Sequence, residues 1–118
     1  MSPTIDFTTF YDVLFSGDES EEVELNNSAA NYPRLKIFFH NNNSTYNSVE
    51  ICSPNGKSVD LTSIFNSTNL AYLKTKTVLI SGTSIAQEPG TYAHDIALGG
   101  ASTVSNAIFI TRVEGWKF

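Results

Sequence analysis

Residues 53–59, Ser-Pro-Asn-Gly-Lys-Ser-Val, contain the Gly-Lys-Ser that closes a phosphate-binding loop. That chemistry needs a further glycine five positions before Gly56, and Ile51 stands there. It also needs a helix after the loop, so that backbone N–H groups and the helix end face the phosphate. Val59-Asp60-Leu61 reads as strand instead. Pro54 suits the second position of a turn, and Asn55-Gly56 tolerates positive φ. The stretch is read as a turn, with Lys57 solvated. Gly82-Thr83-Ser84-Ile85-Ala86 lacks the second glycine of a nucleophile elbow and is also read as a turn. His94-Asp95 has the residue types of a catalytic relay. In an extended segment, however, neighbouring side chains point to opposite faces. His94 then shares a face with Tyr92, Ile96 and Leu98 and reads as a structural histidine. No two carboxylates form an identifiable acid–base couple, so the chain is expected not to be an enzyme.

Residues suited to holding a neutral polar ligand are more evident. Asn41-Asn42-Asn43-Ser44-Thr45 is a polar loop, followed directly by Tyr46. Amide side chains beside an aromatic face suit a sugar. The candidate contacts are Asn42, Asn43 and Tyr46, with Tyr92 and His94 secondary. Trp116 is a further possible stacking platform, and His40 stands at a strand end just before the Asn run.

The inventory is poor for metals and cofactors, and none is expected. Cys52 is the only cysteine, so no internal disulfide forms, and it reads as a small buried hydrophobe. One cysteine with His40 and His94 is thin for structural zinc. Asp6, Asp12, Asp18, Glu19, Glu21, Glu22 and Glu24 crowd the N-terminal part of the chain. They lack the spacing of a calcium loop, and Asp18 to Glu24 reads as a solvated loop and edge.

The formal charge of −5 argues against nucleic-acid binding, because a phosphate backbone would be repelled. No run is long enough for a membrane helix, and the first residues show no secretory signal pattern. At 118 residues the length suits a single domain, 1–118, with 1–10 as a linker or the start of a fibre connection.

The elements that must position these residues are strands. Charged residues make up only 16%, and polarity comes from Ser, Thr and Asn alongside eight Phe and five Tyr. Short alternating runs recur between turn residues. They are expected at 11–15, 22–25, 34–40, 48–52, 58–61, 72–81, 91–98 and 107–113. Residues 16–18, 62–70 and 84–90 are expected as turns or loops, and Gly99 to Ser102 as a turn. In 34–40, alternation places Leu35, Ile37 and Phe39 on one face. The expected fold is all-β, an antiparallel β-sandwich or jelly-roll-like domain of about eight strands, with sandwich and barrel both open.

Several segments, in order, resemble the C-terminal head domains of bacteriophage tail fibres and minor tail proteins. They are Val13-Leu14-Phe15-Ser16-Gly17, the stretch from Val23 to Tyr32, and Leu35-Lys36-Ile37-Phe38-Phe39. The later ones are Ser53 to Val59, Lys74 to Ile85, and Ile108 to Lys117. The likeness runs from about residue 11 to the end. It implies a β-rich receptor-binding head at the tip of a homotrimeric fibre, exposed on the virion and acting outside the cell. The implied partners are bacterial cell-wall or surface saccharide and other tail proteins. The alternative is a structural virion protein, for decoration or tail assembly, whose partner is another phage protein. A small polysaccharide hydrolase is the weakest reading.

Overall fold

The clearest run of the sequence sets the frame. A computed structural model describes residues 10–66, 70–100 and 102–118. The stretch 34–41, RLKIFFHN, alternates half-buried and buried residues along its whole length. Leu35, Ile37 and Phe39 enter the core. β-Branched and aromatic residues fit this pleated, half-buried surface.

Among the described residues, ten strands form two antiparallel sheets. In chain order they are β1 (Tyr11–Glu19), β2 (Val23–Glu24), β3 (Arg34–Asn41), β4 (Tyr46–Cys52), β5 (Ser58–Asn66), β6 (Ala71–Ser81), β7 (Ser84–Gln87), β8 (His94–Ala97), β9 (Ser102–Val104) and β10 (Ile108–Trp116). One sheet runs β1-β10-β3-β4. In the other, β6 pairs with β5 on one side. On its other side β6 pairs with β7 near its C-terminal end and with β8 near its N-terminal end. β2 continues the sheet beyond β7, and β9 beyond β8. The domain is thus an all-β antiparallel sandwich.

Leu14, Leu35, Ile37 and Val113 from one sheet meet Val23, Leu61, Val78, Ile80 and Ile85 from the other in a single core. Each such fully buried side chain contributes about 1.5–3 kcal/mol by leaving water.

Several expected boundaries move. β1 does not stop at Ser16-Gly17-Asp18. It continues to Glu19 through a register shift against β10. β5 runs on through Thr62 to Asn66 because β6 offers it an unbroken ladder, with Asn66 opposite Ala71. Thr62 and Thr75 add a hydroxyl–hydroxyl bond of 3.1 Å across that ladder. Ser84–Gln87, expected as loop, is β7, anchored by Ile85 at 1% exposure. Ser102–Val104 pairs with β8 although all three residues are exposed. Residues 1–9 of the expected linker, and 67–69 of the expected loop, lie outside the described residues. Cys52 is exposed rather than buried, because Ile51 takes the inward position at the end of β4.

The Pro54-Asn55-Gly56 segment is a turn whose groups are engaged internally. Gly56 has φ +82°. Its amide donates to the Ile80 carbonyl at 2.7 Å, and Asn55 Oδ1 accepts from the Gly82 amide at 2.8 Å. Lys57 Nζ donates to the Cys52 carbonyl at 2.6 Å. The groups a phosphate would require already hold β4, β5 and the β6–β7 hairpin together.

Candidate functional site

The inward face of β6 changes character along its length. Val78 and Ile80 are apolar, whereas Lys74 and Lys76 occupy the same face and are buried at 4% and 5% exposure. Buried ammonium groups persist only when paired or hydrogen-bonded. Lys76 Nζ donates to the Ser20 carbonyl at 2.5 Å and to Asn106 Oδ1 at 3.1 Å. Burial pushes its pKa down, and the nearby charges of Glu21 and Glu19 oppose that shift. Lys74 Nζ donates to Asn42 Oδ1 at 2.5 Å and to Asp95 Oδ2 at 3.0 Å.

Asn41 builds the loop that brings Asn42 to Lys74. Its side chain has 0% exposure. Asn41 Oδ1 accepts from the amides of Asn43 at 2.8 Å and Thr45 at 3.1 Å, and its Nδ2 donates to Ser63 Oγ at 3.0 Å. Ser44 takes φ +61° as the chain reverses into β4. The side chain therefore replaces ladder bonds that the loop backbone cannot make. The Ser63 bond pins the loop to the opposite sheet.

The result is an open cleft of about 320 Å³ at one end of the sandwich, lined by Asn42, Asn43, Phe65, Tyr72, Lys74 and Asp95. Phe65 and Tyr72 face each other across β5 and β6, with ring centroids 6.2 Å apart. Lys74 Nζ lies 5.9 Å from the Tyr72 centroid. Lys74 and Asp95 form an ion pair, so the floor of the cleft is polar with its charges balanced. Amides, an aromatic wall and a balanced floor suit an uncharged hydroxylated ligand.

Asn42 and Asn43 thus share one cleft, while the other expected contacts stand elsewhere. Tyr46 is 68% exposed, and its ring lies 5.1 Å from that of His40. Tyr92 is exposed just before β8. His94 pairs with Thr75, and Asp95 with Lys74. Because Lys74 faces inward, strand alternation sends Asp95 into the cleft and His94 to the outer face. Trp116 is already stacked, with the Arg34 guanidinium 4.6 Å and the Tyr11 ring 4.9 Å away. Phe65, Tyr72, Lys74 and Asp95 were not among the expected contacts. One signal was present: Lys74 and Lys76 lie in phase with the inward Val78 and Ile80.

His40 has a different role. Its Nδ1 lies 2.6 Å from the Asn41 carbonyl and its Nε2 lies 2.7 Å from Asp18 Oδ1. Two acceptors require both ring nitrogens to donate, which only the imidazolium can do. The ring also stacks on Phe109 at 5.1 Å. Burial alone would depress the His40 pKa, but the Asn41 carbonyl and the Asp18 carboxylate outweigh it and hold the value above the ordinary 6.5. A raised histidine pKa stabilises the fold fully below the unfolded value, and that stabilisation is lost as pH rises through the folded value. NMR titration of the His40 ring is therefore expected to show a midpoint above 6.5, which Asp18→Asn lowers. A midpoint unmoved by Asp18→Asn would refute the pairing.

A second hollow, of about 300 Å³, lies between Ala29-Ala30 and Pro54-Asn55 and has no charged lining residue. Its Tyr32 hydroxyl is already committed, donating to Asp12 at 2.7 Å. Among the described residues no group of three or more His, Cys, Asp or Glu side chains is placed to hold a metal ion. No protein-family model matches the chain, and no curated protein matches it significantly.

Proposed function

We propose that this chain is a non-enzymatic head module of a phage tail fibre or tail tip that binds saccharide on the host cell surface. The supporting observation is the cleft in which Asn42 and Asn43 stand over a charge-balanced Lys74–Asp95 floor beside Tyr72 and Phe65. The reading places the module on the virion as a homotrimer. Weak single sites then gain avidity when several copies engage one cell wall.

The test is an NMR titration of isotope-labelled protein with solubilised host-wall saccharide. Shifts are expected to concentrate on Asn42, Asn43, Tyr72 and Lys74. Tyr72→Ala is expected to weaken binding roughly tenfold, equivalent to about 1.4 kcal/mol. Absence of shifts at millimolar saccharide, or shifts confined to another surface, would overturn the reading. Light scattering that gives the mass of a single chain would remove the trimer.

A structural virion protein is the second reading, and one surface favours it. On the outer face at the β8 end of its sheet, Ile64 opposes Leu73 and Leu73 opposes Ile96. Ile64, Leu98 and Val104 are exposed. Such a face suits another protein. Purified labelled protein that decorates only phage particles, and not host cells, would select this reading.

A further inference from the structure

The contacts of Lys74 fit a covalent chemistry that the saccharide reading does not use. We propose that Lys74 and Asn42 join in an intramolecular amide, with Asp95 as the catalytic acid–base. The bond would cross from the β3–β4 loop of one sheet to β6 of the other, stapling the sandwich at its open end.

Three observations carry the inference. First, the reactants are in contact. Lys74 Nζ lies 2.5 Å from Asn42 Oδ1. Adding one carbonyl bond of about 1.2 Å puts Asn42 Cγ within about 3.7 Å of the amine. That is an upper limit just beyond the near-attack range of about 3–3.5 Å, and any bend at Oδ1 brings Cγ closer. Second, the acid–base group is in place. Asp95 Oδ2 touches the same nitrogen at 3.0 Å, while Asp95 Oδ1 is buried without a hydrogen-bond partner. Third, the nucleophile is shielded. The Lys74 side chain is only 5% exposed, with Phe65 and Tyr72 beside it in the cleft.

The step balances. Asp95 takes a proton from the Lys74 ammonium, leaving a neutral amine. Nζ attacks Asn42 Cγ, the new N–C bond forms, and the carbonyl electron pair moves to Oδ1, which Asp95 protonates. Asp95 then takes the proton released from Nζ and passes it to Nδ2. The Cγ–Nδ2 bond breaks, and as the carbonyl re-forms the Oδ1 proton passes through Asp95 to the departing ammonia, which leaves as ammonium. The sum converts a lysine ammonium and an asparagine carboxamide into a secondary amide and an ammonium ion. Nothing is oxidised or reduced.

Lys76 is a built-in comparison. It also touches an asparagine, Asn106, at 3.1 Å, but its other partner is the Ser20 carbonyl, and Glu19 and Glu21 act on it only through their charge. With no carboxylate in contact, Lys76 is not expected to react.

The experiment is intact-mass spectrometry of the folded, purified chain after incubation at neutral pH, followed by proteolytic mapping. The expected mass is below the sequence mass by one ammonia, with a branched peptide joining Asn42 to Lys74 and no tryptic cleavage after Lys74. Lys74→Arg and Asp95→Asn are each expected to restore the full mass. A full mass in the folded wild-type chain overturns the proposal, whatever the variants do. Ammonia loss that persists in Lys74→Arg also overturns it, since that marks cyclisation of an asparagine on its own backbone. A branched peptide from Lys76 to Asn106 does the same. Loss that persists in Asp95→Asn removes Asp95 as the catalyst. The amide would consume the Lys74 charge and Asn42 Nδ2 on the floor of the same cleft, but intact mass reads only the amide and the saccharide titration reads only binding, so failure of either is seen separately.

Discussion

Replacing Asn41 with Ala is expected to destabilise the domain by about 3 kcal/mol, because it strands several polar groups at once. The Asn43 and Thr45 amides lose their shared acceptor, and Ser63 Oγ loses its donor. Each buried group left unpaired costs about 1–3 kcal/mol, and water at the loop surface recovers part of that for the two amides. For a domain of this size the melting temperature is expected to fall by about 10 °C. Hydrogen exchange offers a local readout: the Asn43 and Thr45 amides are expected to exchange much faster, while those in the β5–β6 ladder quicken only as far as global stability falls. An unchanged melting temperature would show that the loop does not depend on Asn41. The same substitution is expected to weaken saccharide binding, since Asn41 positions Asn42 and Asn43 without lining the cleft.

Gly115→Ala carries the second large effect, and local rules and tertiary contacts disagree on its sign. A glycine inside a strand is locally unfavourable, and Ala there would ordinarily gain about 0.5–1 kcal/mol. Here a Cβ on Gly115 would sit 2.8 Å from Cδ1 and Cγ of Tyr32 and 2.9 Å from Cδ1 of Leu14. Neither neighbour yields easily. Leu14 is 1% exposed, and the Tyr32 hydroxyl is held by Asp12 and Asn27. Overpacking of this kind costs about 1–3 kcal/mol, which exceeds the local gain. Thermal denaturation is therefore expected to show a net loss of about 2 kcal/mol, with Gly115→Val worse. Stabilisation by Gly115→Ala would mean that Tyr32 and Leu14 move aside freely.

The strands that could be read from the sequence are those whose alternation is sharp. β3 shows Leu35, Ile37 and Phe39 in phase, and they are buried as expected. The turn at Pro54-Asn55-Gly56 was legible for the same reason, since its φ requirement is met locally by Gly56. β9 was not legible, because Ser102, Thr103 and Val104 have no buried face and become strand only by pairing with β8. The second half of β5 was hidden likewise: Thr62 and Ser63 look like loop until the β6 ladder is placed beside them.

The candidate site divides along the same line. The Asn run marked Asn42 and Asn43 as a polar loop, because amide-rich segments satisfy their own backbone. Their partners were obscured by distance along the chain. Asp95 lies 21 residues beyond Lys74, and Lys74 lies 32 beyond Asn42. Tyr46, Tyr92 and His94 had the residue types expected of a binding surface but do not line this cleft, and Tyr92 stands outside the strands, before β8. The sequence by itself determined an all-β chain, the inward face of β3, the central turn and the polar loop, because these depend on alternation and local backbone preference. Only the tertiary structure decided that β6 carries two lysines into the interior and that Asn41 ties the loop across to Ser63. It also brought Asn42, Lys74 and Asp95 into contact, because those positions follow from how the two sheets are paired and stacked.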